Sequence, residues 1–112
     1  MTQITDDYMR EMSQKTRPYT IVILCKTPKR NEPNADKIVW EHGRRNYELR
    51  RDGILNIVCP VADESDVAGF GIFSTNAEET RRIMDEDPAV KAGIFVYEIH
   101  SARSFPSDAL AK

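Results

Sequence analysis

Residues that build metal centres and disulfide frameworks are scarce in this chain. Two cysteines, Cys25 and Cys59, and two histidines, His42 and His100, occur among 112 residues. None stands in a C-x-x-C or H-x-x-x-H spacing, so no metal site is expected. Glycine-rich phosphate loops are missing as well. There is no G-x-G-x-x-G, no P-loop and no G-x-S-x-G, which leaves no cofactor to expect and no serine-hydrolase elbow. No apolar run approaches the roughly 20 residues of a membrane span, and the polar start MTQITDDYMREMSQK is unlike a signal peptide. A cytoplasmic protein with reduced thiols and no membrane partner is the expectation. Charge excess is lacking too: sixteen basic residues against eighteen acidic ones give net −2, which argues against nucleic acid as a partner.

What is present is best read from residues 34–53, NADKIVWEHGRRNYELRRDG, a helix of about five turns. Ile38, Val39, His42, Asn46 and Leu49 fall on one face with Gly43 at its margin; Glu41, Arg44, Arg45, Glu48, Arg51 and Asp52 fall on the other, solvated face. Asn34 is placed to cap the start and Gly53 to take the left-handed position at the end. His42 and Asn46 therefore point inward. A histidine on an apolar face is more often a core residue with its hydrogen bonds satisfied than a reactive group, so the rest of the chain has to argue for a site.

Residues 1–18 read as a polar N-terminal extension, with a helical turn or two over 6–12 whose Tyr8 and Met12 would dock on the body of the domain. Residues 19–25, YTIVILC, form the first strand; after the long helix, 54–59, ILNIVC, form the second. The third strand spans 67–74, with Gly69 and Gly71 on one face, where a backbone or a small planar ligand approaches closely. A second helix runs from 76 to 85 or 86, opened by a capping box of Asn76 and Glu79. The fourth strand is 94–100, IFVYEIH, within a domain of 19–102, and 103–112 is an irregular tail. The order β-α-β-β-α-β predicts an α+β, ferredoxin-like fold with sheet order 4-1-3-2 and both helices on one face. The strands are apolar on both alternating sets of positions. The uncovered face is thus expected to pack on a second copy as a homodimer. Cys25 and Cys59 would lie two strand spacings apart, about 9–10 Å, too far to bridge.

Strand direction brings the start of the first helix and the exit of the second to one end of the fold. That exit reads Asp85-Glu86-Asp87-Pro88, three acids where a helix dipole favours cations. Asp87 either N-caps a short turn through Pro88 or orients His42, fixing its tautomer and balancing an imidazolium, as a general base or acid requires. Lys26, Lys29 and Arg30 lie in the loop at the same end, where they would attract an anionic group.

The motif HGRRNYELRRDG (42–53), the Pro60, Ala62 and Asp63 turn and the D-P-x-x-x-x-G pattern of Asp87, Pro88 and Gly93 resemble the YCII (YciI-like) family over about residues 19–102. The resemblance implies small dimeric α+β barrels with a His–Asp active site, which maps onto His42 and Asp87. The family often has an aromatic after D-P, where this chain has Ala89, implying a wider or differently lined pocket. Relatives of this kind include a dehydrochlorinase acting on a chlorinated hydroxyhydroquinone. The function expected is therefore dehydrochlorinase- or isomerase-like acid/base chemistry, free of metal, on a small phenolic or enolisable compound. His42 and Asp87 would be catalytic; Asn46, Lys26, Gly69 and Gly71, with help from Tyr47, would bind substrate. The alternatives are a non-catalytic metabolite-binding or regulatory dimer and a purely structural one.

Overall fold

The computed structural model describes residues 2–112. Its elements are α1 (Asp6–Ser13), β1 (Arg17–Lys26), a 3₁₀ turn (Pro28–Asn31), α2 (Ala35–Arg51), β2 (Leu55–Pro60), β3 (Val67–Phe73), α3 (Ala77–Asp85), α4 (Pro88–Lys91) and β4 (Phe95–Ser104). The four strands form one antiparallel sheet in the order β2-β3-β1-β4, the split βαβ arrangement that the element order predicts. No helix among the described residues is long and apolar enough to cross a membrane.

Alternation along the strands decides which residues meet the helices. Val22 and Leu24 of β1, Leu55 of β2, Phe73 of β3 and Phe95 of β4 are buried with Ala35, Met84, Ala89 and Ile94 in one core between sheet and helices. The opposite residues, including Ile21, Ile23, Phe70, Ile72, Ile57 and both cysteines, stay half-exposed on a face without helices. Both cysteines are free, separated by β3 as the strand order requires. At one end of that face the segment from Ser104 to Leu110 lies beside Tyr19, Ile57 and Ile72.

Boundaries differ from the sequence reading where hydrogen bonding, not apolarity, sets them. β1 and β4 pair over ten residues each, from Arg17 with Ser104 to Lys26 with Phe95. The sheet therefore takes Arg17 and Pro18 from the extension and Arg103 and Ser104 from the tail. Asn34 sits at the N-cap of α2 with its side chain unused for capping, because its backbone is already helical (φ −89°, ψ −2°) where a side-chain cap needs an extended residue. Gly53 behaves as expected, with φ +76° and the Ile54 amide returning to Leu49 O. Asn76 caps α3 by accepting from the Glu79 amide at 2.8 Å. α1 has the expected two turns, ending one residue later at Ser13, and buries none of its residues fully. Of the two residues expected to dock on the body of the domain, Tyr8 is exposed and Met12 half-buried.

Candidate active site

The D-P-x-x-x-x-G pattern has a direct physical meaning. Asp87 is the N-cap of the one-turn helix α4, Pro88 fills its first position, and Gly93 (φ +74°) closes it, with the Ile94 amide donating to Ala89 O. The cap uses one carboxylate oxygen: Oδ2 accepts from the amides of Ala89 (2.9 Å) and Val90 (3.2 Å). The other oxygen, Oδ1, is left pointing at α2, where it accepts from His42 Nδ1 at 2.7 Å. The two roles anticipated as rivals for Asp87 are held at once, one by each oxygen.

Because an ionised carboxylate can only accept, Nδ1 carries the imidazole proton. Nε2 then presents a lone pair, and it accepts from Asn46 Nδ2 at 3.2 Å, one helical turn on. The ring edge rests against Phe95, with centroids 5.2 Å apart and planes at 71°. Asp87 is 1% exposed and the His42 side chain 11%, so the pair sits in a low-dielectric setting. Burial by itself pushes the Asp87 carboxyl up. The hydrogen bond from His42, the electrostatic attraction of that ring and the amides of Val90 and Ala89 outweigh it and hold the carboxyl below its ordinary value.

The helical wheel assigns Arg45 to the solvated face, and the structure places it differently. Its side chain is 25% exposed and Nη1 lies 3.8 Å from Asp87 Oδ1. It stands three residues after His42, one turn along on a neighbouring flank of the helix. The spacing was available in the sequence; what lay across from that flank was not.

The other two acids at the exit of α3 have partners of their own. Asp85 accepts from the Tyr97 hydroxyl at 2.6 Å, and burial with the bond to and charge of Asp85 pushes that hydroxyl up to about 12. Glu86 pairs with Lys91 at 2.9 Å. Geometry thus leaves Asp87 as the one acid of the three on His42.

His42 and Asn46 line a cavity of about 80 Å³ together with Leu24, Leu55, Val58, Gly69, Gly71 and Met84, open to solvent on one side. Gly69 and Gly71 are therefore brought to the site. A Cβ on Gly71 would stand 3.0 Å from Leu55 Cδ1 and one on Gly69 3.2 Å from Cys59 O. The two glycines keep the sheet wall of the cavity flat. Lys26 is not brought there; it lines a separate polar pocket with Thr27, Asn31, Glu64 and Asp66. Tyr47, 70% exposed, lies with Gly43 on the outside of α2, away from His42. Among the described residues, no group of three or more His, Cys, Asp or Glu is arranged to hold a metal ion.

The fold has a solved counterpart. It is 5-chloro-2-hydroxyhydroquinone dehydrochlorinase from Burkholderia phenoliruptrix AC1100, in complex with 2,5-dihydroxybenzoquinone, which superposes with a TM-score of 0.54 at 18% identity over 73% of this chain and 90% of that one. At that identity the likeness establishes the α+β architecture. No family model matches the chain, and no curated protein sequence matches it.

Proposed function

We propose that this chain is a small-molecule enzyme in which His42 and Asp87 perform general acid/base chemistry on a small phenolic or enolisable compound, in the manner of a dehydrochlorinase or isomerase. The observation that carries this reading is the 2.7 Å bond from His42 Nδ1 to a carboxylate whose other oxygen is locked by two amides. That arrangement fixes the ring and commits the Nε2 lone pair to the side lined by the cavity. A substrate hydroxyl or acidic C–H entering there would displace the Asn46 amide from Nε2 and give up its proton, and Asp87 would balance the imidazolium. The proton then returns to a different carbon in an isomerisation, or stays on the ring while chloride leaves in a dehydrochlorination. The solved counterpart, a dehydrochlorinase holding a dihydroxybenzoquinone, makes hydroxylated rings the first compounds to try.

The cavity sets a size limit. Its 80 Å³ is well under the about 150 Å³ that accommodates benzene in an engineered protein cavity, so a ring would lodge with part of it in the open mouth. Screening catechols, hydroquinones and enol-lactones is expected to yield a compound that binds and is turned over. A second reading, a metabolite-binding or regulatory protein, draws on one observation: His42 is the only ionisable side chain lining the cavity among the described residues. Binding without turnover across the whole screen would favour it.

The proposal includes a homodimer through the helix-free sheet face, supported by its half-exposed Ile21, Ile23, Phe70 and Ile72. Light scattering at micromolar concentration is expected to give at least twice the chain mass of 12.8 kDa. Ile23→Asp would place a carboxylate across the ladder from Glu98 and is expected to abolish that association. A monomeric mass for the unaltered chain would overturn the dimer.

A further inference from the structure

The cavity beside His42 gathers its hydrogen-bonding side chains at one point. His42 Nε2 and Asn46 Nδ2 stand there 3.2 Å apart, and the side chains around them are apolar, among them Val22, Leu24, Leu55, Val58, Phe73 and Met84. No lysine or arginine lines the cavity among the described residues.

The polarity of the two nitrogens is fixed from outside the cavity. Asp87 Oδ1 holds the imidazole proton on Nδ1 at 2.7 Å, so Nε2 is an acceptor and the Asn46 carboxamide turns its nitrogen toward it. The cavity therefore presents one acceptor and one donor side by side, on successive turns of α2. Both residues are partly buried and line the opening, so an entering ligand reaches both.

A ligand hydroxyl that donates to Nε2 frees the N–H of Asn46, which then needs an acceptor of its own. The same oxygen cannot supply it. An atom about 2.8 Å from both nitrogens would see them about 70° apart. That is much narrower than the near-tetrahedral spread of a hydroxyl's proton and lone pairs. One of the two bonds would be badly bent, and bent bonds are weak. Two neighbouring oxygens fit without bending, one donating to Nε2 while the other accepts from Nδ2. Oxygens on adjacent carbons stand nearly as far apart as these nitrogens. Oxygens on opposite carbons of a ring stand far wider, and the second of them misses Asn46.

We propose that the small molecules this site takes carry oxygens on adjacent carbons, at least one of them a hydroxyl, as in catechols, enediols and α-hydroxy ketones. Asn46 is then the specificity-determining residue, holding the second oxygen while Nε2 takes the first hydroxyl. The chemistry that follows binding rests on the acid/base reading above; the recognition rests on the His42–Asn46 pair alone.

The test compares catechol, resorcinol and hydroquinone, which carry the same two hydroxyls on the same ring and differ in whether the two carbons are adjacent. Dissociation constants come from NMR titration of the His42 ring signals in oxygen-free buffer. The proteins are the unaltered chain and Asn46→Leu, a helix-compatible side chain of similar size. Catechol is expected to bind the unaltered chain roughly fivefold tighter than either isomer, the value of about one net hydrogen bond. In Asn46→Leu the three constants are expected to lie within about twofold of one another, with resorcinol and hydroquinone little changed. The comparison among isomers in the unaltered chain stands even where that variant does not fold. Equal affinities in the unaltered chain, a catechol preference that survives in Asn46→Leu, or a loss there shared by all three overturns the proposal. Turnover of a compound without adjacent oxygens also overturns it, while leaving the acid/base reading intact. Catechol preference without turnover sustains the recognition and removes the acid/base reading instead. No binding of any of the three removes both.

Discussion

Replacing Asp87 by alanine is expected to cost about 2–5 kcal/mol of folding stability, the sum of about 1–3 for an orphaned buried donor and about 0.5–2 for a lost helix cap. The cost has two sources. His42 Nδ1 loses its acceptor in a nearly closed setting, and the Ala89 and Val90 amides lose the cap that starts α4. Against a typical total of about 5–15 kcal/mol for a small domain, this is a large fraction. Urea unfolding followed by circular dichroism measures it. Asp87→Asn keeps an oxygen and the shape, so its loss should be about half as large.

Acid dependence adds a sign to the same experiment. The folded-state carboxyl of Asp87 lies below its ordinary 3.8. Its contribution is then fully present above that value and is lost as pH falls through the lower folded one. The unaltered chain should lose more stability than Asp87→Asn on acidification below about pH 4, because only the former has a carboxylate there to protonate. Parallel acid profiles for the two proteins would show that the pair is not coupled in solution.

His42→Gln is expected to lower turnover of a compound found in the screen by about 10²–10⁴-fold, the usual contribution of a positioned acid/base group. Affinity for that compound should change much less, since the apolar wall formed by Leu24, Leu55, Val58 and Met84 is untouched. Asn46→Ala should have a smaller effect on rate, because the Asn46 amide occupies Nε2 only until a substrate replaces it. Steady-state kinetics on the three proteins separates these roles. Turnover in His42→Gln within tenfold of the unaltered chain would remove the histidine from the chemistry, and a fall in affinity alone would make it a binding residue.

The sequence by itself determined the fold. Period-two apolar runs bounded by turn residues, one helix with a histidine on its inner face, and the order β-α-β-β-α-β were enough to place four strands and set their order. The same patterns located His42 and Asp87 at one end of one face, because strand direction fixes where each following helix begins and ends. Cap chemistry was legible where it depends on neighbours in the chain, as at Asn76 and Gly53. It failed at Asn34, whose backbone enters α2 already helical and so does not present its side chain to the first amides. Tertiary structure alone decided that Asp87 holds both roles read for it, one oxygen on His42 and the other on the cap of α4, and that Asp85 and Glu86 go to Tyr97 and Lys91. It also decided that Arg45 leans toward Asp87, that Lys26 and Tyr47 stand away from the cavity, and that Tyr8 of α1 is left exposed. The physical reason is common to all of these. Periodicity and caps are local, acting within a turn or two of chain, whereas a contact across 45 residues, as between His42 and Asp87, depends on the rotation and spacing of packed elements. Those are fixed only when the whole core closes.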